Sequence, residues 1–208
     1  MTVVKDQTPD TSERIRRAAA SLFRTRGFNG TSMHDLAAAV GITKSSVYHH
    51  FPSKQALLAE IIELTIGRVL PQVQEVAESA GPASERLHRA LVLHTTAALR
   101  DGDSVACFTE EGRYLSPEFM TAHVAKRDRY ERFFRRILED GITRGEFLPQ
   151  DPRLSAMALL GMCNAAMRWY RPDGDHSPEA IAAHFADLAV RGVSVLGATR
   201  FQRAAGAA

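Results

Sequence analysis

Gly41 and Pro52 bracket ten residues, "ITKSSVYHHF". A glycine that ends one helix and a proline that cannot continue the next leave room there for a single short helix. Upstream, "MHDLAAAV" follows the capping hydroxyls Thr31 and Ser32 and puts Met33, Leu36, Ala37 and Val40 on one face. A short helix, a glycine-containing turn and a second short helix are the parts of a helix-turn-helix. In that unit the second helix enters the major groove of DNA with its N-terminal residues toward the bases.

Residue types within the bracket suit that role. Thr43, Lys44, Ser45, Ser46, Tyr48 and His49 are expected to face outward, and Val47 and Phe51, four apart, to turn back onto the preceding helix. Small hydroxyl residues let a backbone approach the groove and bond to phosphates or base edges. Thr31 and Ser32 stand where helix N-terminal N–H groups bind phosphate, and Lys54 is placed to neutralise another. The blander reading of Ser45 and Ser46 is a pair of solvated helix positions. His50 reads as a packing or hydrogen-bonding residue behind the helix. His49-His50 makes a poor metal site, because adjacent helical residues diverge by about 100° and companion ligands are lacking.

The 3.6-residue period extends over nearly the whole chain, and no run of alternating residues stands out, so the fold class is all-α. A first helix from Thr11 or Ser12 carries Ile15, Ala18, Ala19, Leu22 and Phe23 as its stripe and stops at Gly27. A fourth helix, capped by Ser53, is expected to be kinked or interrupted at Pro71. Five more helices are expected near 82–101, 103–112, 117–144, 152–171 and 178–198, punctuated by Gly81-Pro82, Ser116-Pro117, Asp151-Pro152 and Ser177-Pro178. The expected division is a DNA-binding domain at 1–55, a helical ligand-binding and dimerisation domain at 56–200, and a disordered tail at 201–208.

Charge and cysteine content narrow the function classes. Residues 1–55 hold eight Lys/Arg against four Asp/Glu, whereas the remainder holds 18 against 20. A basic end on a near-neutral body suits a nucleic-acid reader attached to something else. Cys107 and Cys163 are far apart and form no metal-binding or disulfide pattern. Leu154–Met167 is the longest charge-free apolar stretch, too short to cross a membrane, and no secretion signal opens the chain. A cytoplasmic location is expected. An enzyme would have to draw on Cys107, Glu110, Glu111, His123 and the other histidines, which show no nucleophile–base or metal spacing and no phosphate loop.

In the body, the helix after Pro117 places Tyr130, Phe133, Phe134, Ile137 and Leu138 on one face. Lys126, Arg127, Arg129, Arg132, Arg135 and Arg136 crowd the others. These cations either pair at i,i+4 with Asp128, Glu131 and Glu139 or meet a phosphorylated ligand. "RWYRPDG" sets Arg168 and Arg171 beside Trp169 and Tyr170. Arginine binds phosphate bidentately and an aromatic stacks on a ring system. Equally, the arginines could serve only the helix dipole while Trp169 packs.

The stretch "GFNGTSMHDLAAAVGITKSSVYHHFPSKQALL" resembles the DNA-binding domain of the TetR family of bacterial repressors. The resemblance runs through Gly27-Phe28, Thr31-Ser32, Leu36-Ala37, Gly41 and "VYHHFPSK". It implies a nine-helix chain, a homodimer joined through the last two helices, a palindromic double-stranded operator and an effector pocket in the body. Ser45-Ser46 departs from the pairs many members carry, so operator sequence does not transfer. Residues 110–195 are similar to the branch governing lipid and steroid-ring catabolism, in which a CoA thioester of a steroid-ring fragment releases the repressor. That likeness implies an acyl-CoA or steroid-derived CoA thioester as effector, with no other cofactor. Arg168, Trp169, Tyr170, Arg171, Phe134 and Met162 are its candidate contacts. The competing effector is a drug or antibiotic in efflux control.

Overall fold

The computed structural model describes residues 10–195. Within them the periodic segments form α1 (Thr11–Arg26), α2 (Met33–Val40), α3 (Lys44–His50), α4 (Lys54–Glu78) and α5 (Ala83–Arg100). They continue as α6 (Gly102–Thr109), α7 (Pro117–Thr143), α8 (Pro152–Ala165) and α9 (Pro178–Val193). Short 3-10 turns lie at Glu111–Tyr114 and Ala166–Arg168. Among the described residues the expected nine-helix, all-α architecture is what forms. The tail at 201–208 and the expected end of the last helix at 196–198 lie outside the described residues.

The helices gather into two compact units, residues 10–66 with 103–124 and residues 67–102 with 125–195, and α4 and α7 run through both. In the first unit, Ile15, Ala19 and Phe23 of α1 join Leu36 and Val40 of α2, Val47 of α3, Phe51, and Leu57, Leu58 and Ile61 of α4 in one core. Its corners are fixed by backbone chemistry. Gly41 takes the left-handed conformation (φ 73°) that returns its N–H to the end of α2. Ser32 and Asp35 form a reciprocal capping box at the start of that helix. Thr43 caps α3, and Ser53 Oγ accepts the Ala56 N–H at the start of α4.

The second unit buries Leu87 and Leu91 of α5 with Phe134, Ile137 and Leu138 of α7 and with Phe147. α5 has no side-chain cap of its own, and Glu146 supplies one: its carboxylate accepts the Ala83 and Ser84 N–H groups at 3.0 Å each. Burial alone would raise the Glu146 pKa, but these bonds and Arg144 bring it below the usual carboxylate range. The buried guanidinium of Arg86 is held by Asp140 and by the Ala77 carbonyl.

Two helix expectations are corrected. α4 is not interrupted at Pro71 and continues to Glu78. Pro71 and Gly67, whose carbonyl loses its partner, are both exposed, so the missing bond costs little there. α8 ends at Ala165, not at 171, and the 3-10 turn follows it. α8 is also not enclosed on every side within the chain. Leu154, Met157, Ala158, Gly161 and Ala165 form an exposed stripe at helical spacing, with Leu154 63% and Met157 55% exposed.

Candidate functional site

α3 presents its polar side and buries the other. Val47 is fully buried and Phe51 nearly so, which fixes the helix on its core. Thr43, Lys44, Ser45, Tyr48 and His49 are exposed and Ser46 half-exposed. The hydroxyls are already organised. Thr43 Oγ1 accepts the Ser46 N–H at 3.2 Å and lies 2.9 Å from the hydroxyls of both Ser45 and Ser46. Lys44 Nζ stands 5.8 Å from the centre of the Tyr48 ring, one turn further on. His50 turns behind the helix, where its Nδ1 meets Ser12 Oγ at 3.0 Å.

The flanking residues sit differently. Thr31 is 1% exposed, and its hydroxyl donates to the Gly27 and Leu22 carbonyls. Its side-chain proton is thus spent inside the turn. Ser32 is exposed, but both its N–H and its hydroxyl donate to Asp35, at 2.8 and 2.5 Å. Those bonds hold the Asp35 carboxyl below its ordinary range, so an anion already occupies this helix start. Lys54 Nζ donates to the Phe28 and Thr31 carbonyls at 2.6 and 2.7 Å and lies 4.2 Å over the Phe28 ring. Burial lowers its pKa. An ammonium has three donors, so one N–H of Lys54 is uncommitted.

Four other cations of this region are held internally, while Arg26 has no ion pair among the described residues. Arg14 donates to the Val40 carbonyl, Arg16 meets Glu13 and Glu60, Arg17 meets Glu13, and Arg24 meets Asp103. The basic excess visible in the sequence is therefore largely structural, and Lys44 is left without a carboxylate partner among the described residues.

In the second unit the candidate ligand residues fall in two places. Arg168, Trp169 and Arg171 are exposed around the 3-10 turn, with the Trp169 ring 6.2 Å from Phe185. Tyr170 packs on the small cluster of Leu99, Ala166 and Ile181. Phe134 is fully buried elsewhere, its ring 5.5 Å from Tyr130 and 6.0 Å from His94. Met162 is half-buried on α8. Several α7 cations are engaged: Arg135 with Glu139, Arg136 with Glu78 and Arg129 with Gln74.

Beside Phe134 lies a polar cluster that the sequence reading overlooked, made of His94 and Thr95 of α5, Tyr130 of α7, and Cys163 and Asn164 of α8. His94 Nδ1 is 3.0 Å from the Tyr130 hydroxyl. Burial pushes the His94 pKa down to about 4, with Asn164 pulling the other way, and pushes the Tyr130 phenol and the Cys163 thiol up. The available signal was positional: His94 and Thr95 continue the inward stripe of Leu87, Ala90 and Leu91, where aliphatic residues would be expected.

Among the described residues no helix is long and apolar enough to cross a membrane, and no group of histidine, cysteine and carboxylate residues is placed to hold a metal.

Residues 15–61 match the family described as bacterial regulatory proteins, tetR family, and residues 80–193 match its tetracyclin repressor-like C-terminal domain. The chain belongs to the TetR family: it is a helix-turn-helix transcriptional regulator and not an enzyme. It is 28% identical to the HTH-type transcriptional repressor KstR2 of Rhodococcus jostii over 179 residues, 85% of this chain and 87% of that protein. The crystal structure of PfmR, a TetR family transcriptional regulator from Thermus thermophilus, is 35% identical. It superposes with a TM-score of 0.77, covering 86% of this chain and 97% of the other. AibR in complex with isovaleryl coenzyme A and operator DNA is 27% identical with a TM-score of 0.76, over 89% and 98% of the two chains.

Proposed function

We propose that this protein is a cytoplasmic, homodimeric repressor of lipid or steroid catabolism genes, released from a palindromic operator by a CoA thioester. One observation carries the DNA half: α3 is anchored by Val47 and Phe51 while Thr43, Lys44, Ser45, Ser46, Tyr48 and His49 face outward. Lys44 and the spare Lys54 proton are its candidate phosphate contacts and Ser45 and Ser46 its base-edge readers, while Ser32, its donors committed to Asp35, serves by capping α2. Thr31 serves this surface through the turn it braces. In a dimer the two α3 helices enter successive major grooves, about 34–36 Å apart.

The exposed stripe of α8, with exposed Leu188 on α9, supports the dimer. A face of this kind is what a symmetric helical interface covers. The effector half rests on the KstR2 likeness, on AibR, whose complex holds isovaleryl coenzyme A, and on arginines set beside aromatics at Arg168–Arg171. Effector binding weakens the operator complex by favouring the conformation that does not fit it. A coupling of about 1–3 kcal/mol is typical.

The deciding measurement is a gel shift with the intergenic DNA beside the gene, repeated with a panel of CoA thioesters. Retardation that one thioester reverses is the expected result. An unretarded fragment in low salt overturns the repressor reading, and retardation indifferent to every thioester overturns the effector class alone.

A further inference from the structure

The cluster beside Phe134 holds more hydrogen-bonding capacity than it spends. Thr95 is wholly buried, and its Oγ1 has no hydrogen-bond partner. The same is true of His94 Nε2 and Asn164 Oδ1, both shielded from solvent. Asn164 lies near enough to the imidazole, and Thr95 near enough to Cys163, to bias their titration, yet neither approach completes a hydrogen bond. Buried polar atoms left unpaired are costly, and native structures seldom gather several in one place without a use. Core packing alone would be served by aliphatic side chains at all three positions.

The direction of the one completed bond shows what the cluster offers. The Tyr130 hydroxyl and His94 Nδ1 lie 3.0 Å apart, and the tautomer in which the phenol donates is the one that leaves no buried phenolic proton unpaired. With Nδ1 accepting, the imidazole proton resides on Nε2. The unspent groups are thus two donors, His94 Nε2–H and the Thr95 hydroxyl, and one acceptor, Asn164 Oδ1. The Phe134 and Tyr130 rings lie against the imidazole.

We propose that His94, Thr95 and Asn164 form a specificity subsite for a neutral oxygen function, a hydroxyl or a ketone, carried on an otherwise apolar effector. The proposal rests on the effector reading above and names the part of the ligand that this unit reads. A hydroxyl accepts from His94 or Thr95 and donates to Asn164, and a ketone accepts from both donors. A carboxylate or phosphate would bring a charge that none of His94, Thr95, Tyr130, Cys163 and Asn164 neutralises. The anionic end of a CoA thioester is therefore met outside the cluster.

The test uses the full-length protein, titration calorimetry and two matched series. The first is cyclohexanecarbonyl-CoA with its 4-hydroxy and 4-oxo analogues. The second is the methyl esters of the same three acids. A site built to bond an oxygen function rejects the analogue lacking it. The oxygenated members are expected to bind at least about ten-fold more tightly than their parent. Thr95→Val and Asn164→Leu should each cut that preference severalfold, and because they remove the polar groups that the parent leaves unpaired, they should not weaken its binding. Equal affinities across a series that binds, a preference that survives both substitutions, or failure of both series to bind overturns the subsite. A preference seen only among the methyl esters supports the subsite and overturns the CoA reading. CoA thioesters that bind without preference do the reverse.

Discussion

Glu111 Oε2 accepts the Phe28 backbone N–H at 2.8 Å, joining the 3-10 turn after α6 to the loop that opens the helix-turn-helix. Both partners are buried, and the Tyr114 ring stacks on Phe28 at 5.9 Å. Gln55 adds a second tie, donating to the Tyr114 carbonyl and accepting the Ser116 N–H. Glu111→Ala leaves the Phe28 N–H buried and unpaired, which costs about 1–3 kcal/mol. The expected result is a Tm lower by several degrees and weaker operator binding, read by calorimetry and by anisotropy with labelled DNA. Glu111→Gln keeps an acceptor oxygen and should lose less. Equal stability for the alanine variant and wild type would show that this tie holds nothing.

Lys44 separates a phosphate contact from a structural cation. Its ammonium has no carboxylate partner among the described residues, unlike Arg16, Arg17 and Arg24, and Arg14 is held by a backbone carbonyl. Lys44→Ala should leave Tm unchanged and weaken binding across all DNA sequences. The slope of log K against log salt should fall by about one per bound protomer. Ser45→Ala and Ser46→Ala should change which operator variants are preferred and leave that slope alone. A Lys44→Ala protein with the wild-type slope would remove Lys44 from the interface.

Much of this was legible in the sequence because it depends on local chemistry. Gly27, Gly41 and Pro52 set helix ends through backbone geometry alone, and Val47 and Phe51 declared the buried side of α3 by their spacing. What escaped depends on tertiary partners. Nothing local shows that Thr31 spends its hydroxyl on the Gly27 and Leu22 carbonyls, or that Lys54 braces the Phe28 turn. His94 and Asn164 lie seventy residues apart in the chain, so only the packed α5 and α8 reveal them as neighbours. "RWYR" drew attention as a motif, but α8 ends before it and Trp169 is 54% exposed.

Burial of His94 predicts an acid-sensitive stability. Its folded pKa lies near 4, below the ordinary value of 6.5. Between those values the unfolded chain binds a proton that the folded chain excludes, so stability rises with pH across this window. The contribution is complete above pH 6.5 and is lost as pH falls toward 4, amounting to about 3 kcal/mol. Glu146, whose folded pKa is depressed, adds loss only as pH falls below 4.5. Urea midpoints between pH 6.5 and 5 isolate the histidine: wild type should soften in that interval and His94→Gln should soften less. Parallel curves for the two proteins would refute the assignment.

The exposed stripe of α8 makes the proposed dimer testable. Leu154, Met157, Ala158, Gly161 and Ala165 recur at three- and four-residue spacing, so a single flat partner can cover them. Gly161 has open space around its missing side chain within the chain, room for a close helix approach. Leu154→Glu combined with Met157→Glu places two charges on positions that already face water in the single chain, so the helical circular dichroism spectrum should be unchanged. In a dimer those carboxylates would be buried without partners, and association should fail. Sedimentation should report a dimer for wild type and a monomer for the double variant. Operator affinity should drop by orders of magnitude, because one protomer engages a half-site alone. A double variant that remains dimeric would move the interface away from α8.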